Sequence, residues 1–315
     1  MTGPEQRMND AGTTLRSADE LFQRREYASA EPVYEAAFEL AVDAGNRSVA
    51  TEAASQAGRC RLLDGDLEGG RTWLDRAREF ATRDDPDGWS RYRGVLGRLQ
   101  WKKGDRPTAT KTFIDMCAYC ESHDRLDRAI DAAHMVALTG DDDEQIEWAR
   151  RGIQLAERSE HRRWLGPLWN NLGWNLCDRG EFDAALEALR NARESHYEFG
   201  DAHNRLVADW SVASLLRRLG RVAEARQALE PVKSEAQRRY REDPSADRAE
   251  WVGHCHLEAA ELELLDGARS SALERMEEAA RFLAEADMNA WDESGWAALN
   301  DRIDELRREL NRSTE

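Results

Sequence analysis

Residues 169–192 read WNNLGWNLCDRGEFDAALEALRNA, and this stretch decides the fold. Apolar residues recur with helical spacing on both sides of Gly180. The last residue of a helix is often followed by a position with a positive φ angle, which glycine adopts without a steric penalty. The stretch therefore predicts two helices joined by a short turn at Gly180.

Comparable turn points recur along the chain at intervals of 40, 39, 36, 40, 40 and 47 residues. An acidic residue follows several of them, which suits the start of a helix because a carboxylate there faces the positive end of the helix dipole. The turn points are Arg25, Gly65, Gly104, Gly140, Gly180, Gly220 and Gly267.

Two further sets of positions test this alignment of the repeats, because they were not used to find the turn points. All residues seven positions before a turn point are small, and those five positions after it are small except Gln145. The row before the turn is Ala18, Gly58, Gly97, Ala133, Gly173, Ala213 and Ala260, and the row after it is Ala30, Gly70, Ala109, Gln145, Ala185, Ala225 and Ala272.

Small residues at matched positions have a physical meaning in paired helices. Two antiparallel helices approach each other most closely where their side chains are smallest, and large apolar residues one turn away fill the groove between pairs. A single pair cannot bury both of its faces, so pairs stack. We predict an all-α, right-handed superhelical solenoid of about seven antiparallel helix pairs. The alternative is an irregular helical bundle, which would have to show the same spacing of small residues around each turn point by chance.

The pattern Trp169-x2-Leu172-Gly173, followed by Ala185 and Ala192, resembles the tetratricopeptide repeat signature. That family usually has a period of 34 residues, whereas the period here is near 40. The longer period is similar to that of kinesin light chains and of bacterial regulators that contain such repeats. The resemblance covers residues 11–286, and Trp169 is expected to be a core residue.

The segment 292–310 predicts one more amphipathic helix, with Trp296, Leu299, Ile303 and Leu306 on one stripe. Terminal units of a solenoid need a polar outer face, so we interpret it as a capping helix. We expect one domain over residues 11–310, with flexible termini at 1–10 and 311–315.

Composition limits the class of protein. The formal charge of -17 disfavours nucleic acid as a partner, because the protein's field repels a phosphate backbone. The sequence contains neither an apolar run long enough for a membrane span nor a signal-peptide pattern at its start. Its five cysteines do not form a disulfide framework. We expect a cytoplasmic protein, and the preference for arginine over lysine suggests a bacterial source.

In the family that the chain resembles, the first helix of each pair lines a concave groove that holds peptides. Positions three, six and ten residues before the turn points carry arginine and tryptophan here, unlike the acidic chain as a whole. Both residue types are enriched at binding hot spots, and arginine binds carboxylates through two parallel hydrogen bonds. The predicted peptide-binding residues are Arg59, Arg91, Arg98, Trp101, Lys102, His134, Asn170, Trp174, Trp210 and Arg217.

These residues also have ordinary structural explanations. Tryptophan on a solenoid helix is often a core residue, and surface arginines usually pair with nearby carboxylates to little effect. The Lys, Asn, Asn, Lys and Arg set by which relatives bind chaperone C-termini does not occur in order, so chaperones are not the expected partner.

Our leading hypothesis is a scaffold or regulator that binds a peptide or protein segment, expected to be acidic, in the groove. A ligand sensor that responds to a signalling peptide or small molecule, and a self-assembling protein whose groove holds another copy, remain alternatives.

Nothing in the sequence indicates an enzyme or a cofactor. Cys117, Cys120 and His123 have metal-like spacing, yet a zinc site needs four converging ligands and no second pair follows. The acidic run 141–144 follows Gly140 and opens a predicted helix, where its carboxylates suit a helix cap. There is no phosphate-binding loop and no nucleophile motif.

Overall fold

The computed structural model describes residues 4–286 and 293–313, and the described residues form helices, turns and no strands. The chain divides into two compact units, Met1–Leu172 and Gly173–Glu315. In unit 1 the helices are α1 (Pro4–Gln23), α2 (Tyr27–Asp43), α3 (Arg47–Leu63), α4 (Leu67–Phe80), α5 (Pro86–Lys102), α6 (Arg106–Ser122), α7 (Leu126–Thr139) and α8 (Asp142–Glu157), followed by a 3-10 turn at Arg162–Trp164.

Helix α9 (Leu165–Asp178) contributes residues to both units. Unit 2 continues with α10 (Phe182–Phe199), α11 (Ala202–Arg218), α12 (Val222–Glu242), α13 (Ala246–Leu265), α14 (Arg269–Glu285) and α15 (Glu293–Ser313). From α1 to α8 in unit 1, and from α10 to α15 in unit 2, each α-helix packs against the next one along the chain. The predicted all-α fold, with seven helix pairs and a final single helix in the described residues, is confirmed.

The turns within the pairs follow the prediction at six of the seven turn points. Gly180 has φ 77°, and Arg25 adopts φ 64° although it is not glycine. Gly140 is different, because its backbone is extended (φ -68°, ψ 173°). There α8 begins with a capping box, in which the Asp141 carboxylate accepts from the Glu144 N–H and the Glu144 carboxylate accepts from the Asp141 N–H.

The altered turn at Gly140 explains why Gln145 breaks the row of small residues. Its amide donates a 3.0 Å hydrogen bond to the Gly140 carbonyl and so satisfies the end of α7. Arg106 donates to the same carbonyl at 2.9 Å and to that of Thr139 at 2.8 Å. Side chains thus replace the left-handed cap that the sequence suggested at this one turn.

The other small residues lie where helices touch. A Cβ atom on Gly97 would lie 2.6 Å from the ring of Phe113, and one on Gly173 would lie 2.6 Å from Leu189. Both large residues are fully buried. The prediction that small residues mark the closest approach of paired helices is therefore confirmed.

Trp169 is not the core residue that the sequence predicted, since its indole remains partly exposed. The core position on this turn of α9 is taken by Leu168, which is fully buried and packs against Gly152. Trp169 is displaced from that position by about 100° around the helix axis.

The last helix buries the predicted stripe. Leu299, Ile303 and Leu306 are buried in a cluster with Met276 and Leu283 of α14. The side chain of Trp296 lies outside the described residues, as do residues 1–3 and 314–315. Helix α1 begins at Pro4 and α15 ends at Ser313, while a single domain over 11–310 stays a prediction.

None of the helices in the described ranges combines the length and the apolar character that crossing a membrane requires.

Candidate binding face

The first helices of the pairs in unit 1, which are α1, α3, α5 and α7, present a row of side chains that solvent reaches. The row lies six residues before each turn point and consists of Asp19, Arg59, Arg98 and His134, all partly exposed. The residues ten positions before the turn points in this unit, such as Ser55 and Ile130, are buried and belong to the core. On α1, α3, α5 and α7, the row six residues before the turn points therefore meets solvent, whereas the row ten residues before them does not.

Four arginines gather on three of these helices. Arg59 lies on α3, Arg91 and Arg98 lie on α5, and Arg128 lies on α7. Two carboxylates, those of Glu52 and Asp131, lie among them. We call these six side chains the arginine cluster.

The two carboxylates hold three of the arginines. Glu52 accepts a 3.0 Å hydrogen bond from Arg128 and lies 3.6 Å from Nε of Arg91. Asp131 accepts a 2.7 Å hydrogen bond from Arg98. Burial favours the neutral acid, but Arg98 and Arg59 outweigh it and lower the pKa of Asp131. Asp131 is therefore ionised at neutral pH.

Arg59 has no carboxylate partner within the described part of the chain. Its guanidinium lies over the Phe22 ring, 4.8 Å from the centroid, and its buried Nε–H finds no acceptor. Burial, followed by repulsion from Arg98, lowers the pKa of Arg59 to about 9. The guanidinium is still charged at neutral pH, because that value lies well above 7.

His134 adds a polar group next to the cluster without adding charge. Its Nδ1 lies 3.0 Å from the side-chain nitrogen of Asn171, and its ring lies 5.7 Å from that of Trp164. Burial lowers the pKa of His134 to about 4, against the opposing effect of Asp131, so the imidazole is neutral at pH 7. Asn171 makes this contact, while the predicted site residue Asn170 is partly buried beside it.

Trp101 and Lys102 lie near the C-terminal end of α5. Trp101 is 39% exposed, and Lys102 is exposed one helical turn beyond Arg98. The structure thus gives both predicted residues access to solvent at the edge of the arginine cluster.

Unit 2 carries aromatic rings on its first helices. Trp174 of α9 lies 6.0 Å from Trp210 of α11, which lies 5.7 Å from Trp251 of α13. His254 contacts the last two rings at 5.6 and 5.4 Å. We call the three indoles the tryptophan row; each is partly exposed, and the Nε1–H of Trp210 is buried without an acceptor in the described residues.

Arg217, also a predicted binding residue, is already neutralised within unit 2. Its Nε donates to the carboxylate of Glu258 at 2.5 Å, and the two side chains are only 19% and 5% exposed. The neighbouring Arg218 lies over the Trp174 ring at 5.3 Å. The positive charge of Arg217 is therefore not available to a ligand as the sequence suggested.

Sequence reasoning missed Arg128, Glu52, Asp131 and Trp251. The three spacings that it sampled were three, six and ten residues before the turn points, whereas these residues stand nine to sixteen residues before them. Sampling one helical turn earlier, three residues before the rows at six and ten, would have found Asp131 and Glu52 but not Arg128 or Trp251.

The metal-like Cys117, Cys120 and His123 set has a packing explanation. Both thiols are buried, and burial raises the pKa of each to about 12. The His123 ring instead packs against the Tyr119 ring in a tilted arrangement, with centroids 4.1 Å apart. Within residues 4–286 and 293–313, no three His, Cys, Asp or Glu side chains are arranged to hold a metal ion.

No family model and no curated protein matches the chain. Solved structures do match it. A Rap protein complexed with competence and sporulation factor has a TM-score of 0.62 at 14% identity, with 95% of this chain and 87% of that chain covered.

Two further structures give a similar result. The Rap conjugation gene regulator of plasmid pLS20, in complex with the Phr* peptide, has a TM-score of 0.52 at 13% identity and 97% coverage of both chains. A signal transduction ATPase with a tetratricopeptide repeat sensor from Pyrococcus horikoshii has a TM-score of 0.62 at 13% identity, with 96% of this chain but only 44% of that chain covered. Together with the helix pairs and their small-residue contacts, these likenesses show that the chain has the tetratricopeptide-type helical repeat fold.

Proposed function

We propose that this protein is an interaction module that binds an acidic segment of another protein or peptide on the arginine cluster of unit 1. The observation that carries the proposal is the imbalance of charge, since four arginines face two carboxylates there. The chain as a whole has a formal charge of -17, so the cluster differs in sign from the chain as a whole.

The cluster suits binding better than it suits stability. A partly buried guanidinium without a counter-charge destabilises the folded state, because it has lost water and gained little in exchange. A ligand carboxylate that approaches Arg59 restores those interactions with strong, charge-assisted hydrogen bonds. Glu52 and Asp131 hold the other three arginines in place before the ligand arrives. Less conformational entropy is then lost on binding.

One of two similar structures with a bound ligand supports a peptide as the ligand. One Rap protein is complexed with competence and sporulation factor, and the Rap regulator of plasmid pLS20 is bound to the Phr* peptide. A regulator that changes conformation on binding a signalling peptide is therefore our second candidate. A change in small-angle scattering on adding ligand would favour this sensor over a static scaffold.

Other parts of the proposal rest on the sequence. We expect binding without catalysis, because no catalytic motif was found. We expect a cytoplasmic protein because free thiols persist in reducing compartments, and a bacterial one because arginine is preferred over lysine. Light scattering tests whether the face is filled by a second copy of this chain instead.

The experiment uses fluorescein-labelled hexaglutamate and fluorescence anisotropy. Arg59→Gln removes one charge from the cluster without breaking an ion pair, and we expect at least a tenfold loss of affinity. Arg71→Gln is the matched control, because Arg71 lies on α4 and pairs with Glu68 and Asp75 outside the cluster. It should bind within twofold of the wild type.

Arg98→Glu is a poor test, because it would place a second carboxylate beside Asp131 and disturb folding. Wild-type affinity should also fall as salt rises, since screening weakens charge attraction. Equal affinity in wild type and Arg59→Gln would refute the proposed site.

A further inference from the structure

The arginine cluster carries two more positive than negative charges, because its four guanidiniums face only the carboxylates of Glu52 and Asp131. Arg98 pairs with Asp131, and Arg128 pairs with Glu52. Arg91 shares Glu52 with Arg128 through a longer ion pair, and Arg59 has no carboxylate partner among the described residues. Arg91 approaches Glu52 only to 3.6 Å, which is too long for a hydrogen bond, and Arg59 has only the Phe22 ring beneath it.

The two remaining arginines share a second property. The Nε–H of Arg59 and that of Arg91 are both buried, and neither finds a hydrogen-bond acceptor in the described residues. Unsatisfied buried donors are rare in native structures and more costly when the group is charged. Two unsatisfied buried donors thus lie together in the arginine cluster, on α3 and α5, where an oxygen-rich group would satisfy them.

Two further acids on the first helices of unit 1 already have hydrogen-bond donors outside the cluster. Asp127 of α7 accepts from Arg163 at 2.9 Å and from the indole of Trp164 at 2.7 Å. Asp19 of α1 accepts from the hydroxyl of Tyr34 at 2.6 Å. Asp127 also attracts the charge of Arg128, but neither acid forms an ion pair with Arg59 or Arg91.

The missing group has a defined charge and shape. One carboxylate would offset only one of the two charges, whereas a phosphate monoester carries about -1.5 to -2 at neutral pH and three acceptor oxygens. The planar guanidinium places its N–H groups in a fork that matches phosphate oxygens. Phe22 covers one face of the Arg59 guanidinium. The N–H groups lie in the plane of the guanidinium, so phosphate oxygens would accept hydrogen bonds at its edge.

From the charge balance and the two unsatisfied donors, we infer that the arginine cluster binds a phosphate monoester, carried by a phosphorylated side chain of the partner segment, between Arg59 and Arg91. This inference rests on the proposed function, because it names the chemistry of the ligand at the same site.

The test compares three pools of labelled dodecapeptides with degenerate flanking residues, which carry at the centre phosphoserine, serine or a Glu-Glu pair. We expect the phosphoserine pool to bind at least tenfold more tightly than the serine pool and at least fivefold more tightly than the Glu-Glu pool. Arg59→Gln and Arg91→Gln should each remove most of the preference for phosphoserine. Arg71→Gln should keep it.

Arg59→Lys separates charge from geometry, because lysine keeps the charge and loses the planar fork. We expect it to bind hexaglutamate within threefold of wild type while losing at least tenfold for the phosphoserine pool. Inorganic phosphate should compete with the phosphoserine pool in the wild type and much more weakly in Arg59→Gln. Circular dichroism confirms that each variant keeps its helices.

The outcomes distinguish the two proposals. Equal binding of the phosphoserine and Glu-Glu pools overturns the phosphate inference and leaves the acidic-segment function standing. Failure of every acidic probe, hexaglutamate included, overturns both. Phosphate competition that is equal in wild type and Arg59→Gln also overturns the inference, because the phosphate would then bind elsewhere.

Discussion

Arg98 of α5 donates a 2.7 Å hydrogen bond to Asp131 of α7, and the two side chains are only 14% and 16% exposed. The pair connects the first helices of two successive helix pairs in unit 1. A second hydrogen bond, from Arg98 to the Gly94 carbonyl at 3.0 Å, fixes the guanidinium on its own helix. The arginine cluster is therefore built around a charge pair that is part of the fold.

Asp131→Asn should destabilise unit 1. The change leaves the partly buried Arg98 guanidinium without its counter-charge, and a hydrogen bond to a charged group contributes about 1.5–3 kcal/mol. We expect a loss of about 2 kcal/mol in the free energy of unfolding, measured by urea denaturation.

Asp115→Asn provides the matched control. Asp115 also faces an arginine, Arg93 at 3.6 Å, but its side chain is mostly exposed. Exposed pairs contribute little, so the control should lose less than about 0.5 kcal/mol. Similar losses in the two variants would show that burial of the Arg98–Asp131 pair does not matter.

His134 should make stability depend on pH between 7 and 5. Its pKa is about 4 in the folded state, against 6.5 as the ordinary value, so in this window the unfolded chain binds a proton that the folded chain does not. Stability is therefore full above pH 6.5 and falls as pH is lowered, by about 1.4 kcal/mol per pH unit at most.

His134→Gln isolates this contribution, because glutamine can still accept a hydrogen bond from Asn171 and does not titrate. Urea unfolding at pH 7 and pH 5 should show about 1–2 kcal/mol less acid destabilisation in the variant than in the wild type. Other histidines, such as His196 and His256, also have lowered pKa values and remain in both proteins. If both proteins lose stability equally, the surroundings of His134 do not lower its pKa.

The fold was predictable because its signals are local. One signal is glycine at a tight turn, and the other is alanine or glycine where two helices touch. Each can be recognised from residues that are close together in the sequence, and each recurs from repeat to repeat. Gly140 shows the limit, since the same glycine can end a helix in extended backbone when side chains from Arg106 and Gln145 satisfy the carbonyls. The sequence could not show which solution the chain uses, because Arg106 comes from another helix pair.

The candidate site was predictable only in part, because pairing decides which charges remain. Arg59 and Arg217 occupy comparable first-helix positions in the sequence, yet Glu258 neutralises Arg217 while Arg59 has no carboxylate partner in the described residues. Glu258 is 41 residues away from Arg217. The spacing of residues within one helix cannot predict an ion-pair partner that lies on the next helix pair.

The cysteines should be unreactive in the folded protein. All five are buried, and burial raises the pKa of Cys60, Cys117, Cys120 and Cys255 to about 12, so almost no thiolate forms at pH 8. We expect no reaction with DTNB within minutes in buffer and reaction of all five thiols in guanidinium chloride. Ala118→Cys places an exposed thiol beside Cys117 and should react at once. Rapid reaction of the native wild type would contradict the burial.

Gly97→Ala should destabilise the protein although alanine favours helices. The new Cβ would lie 2.6 Å from the Phe113 ring, and a buried ring cannot move aside as the end of a flexible chain can. Forcing α5 and α6 apart should cost about 1–3 kcal/mol in the free energy of unfolding.

Gly12→Ala is the control, because a Cβ there meets nothing closer than Arg16 at 3.7 Å, and alanine in a helix should stabilise by about 0.5–1 kcal/mol. In thermal or urea unfolding, destabilisation by Gly97→Ala together with stabilisation by Gly12→Ala would verify that glycine marks the closest approach of the pair. Stabilisation by both changes would show that α5 and α6 lie farther apart.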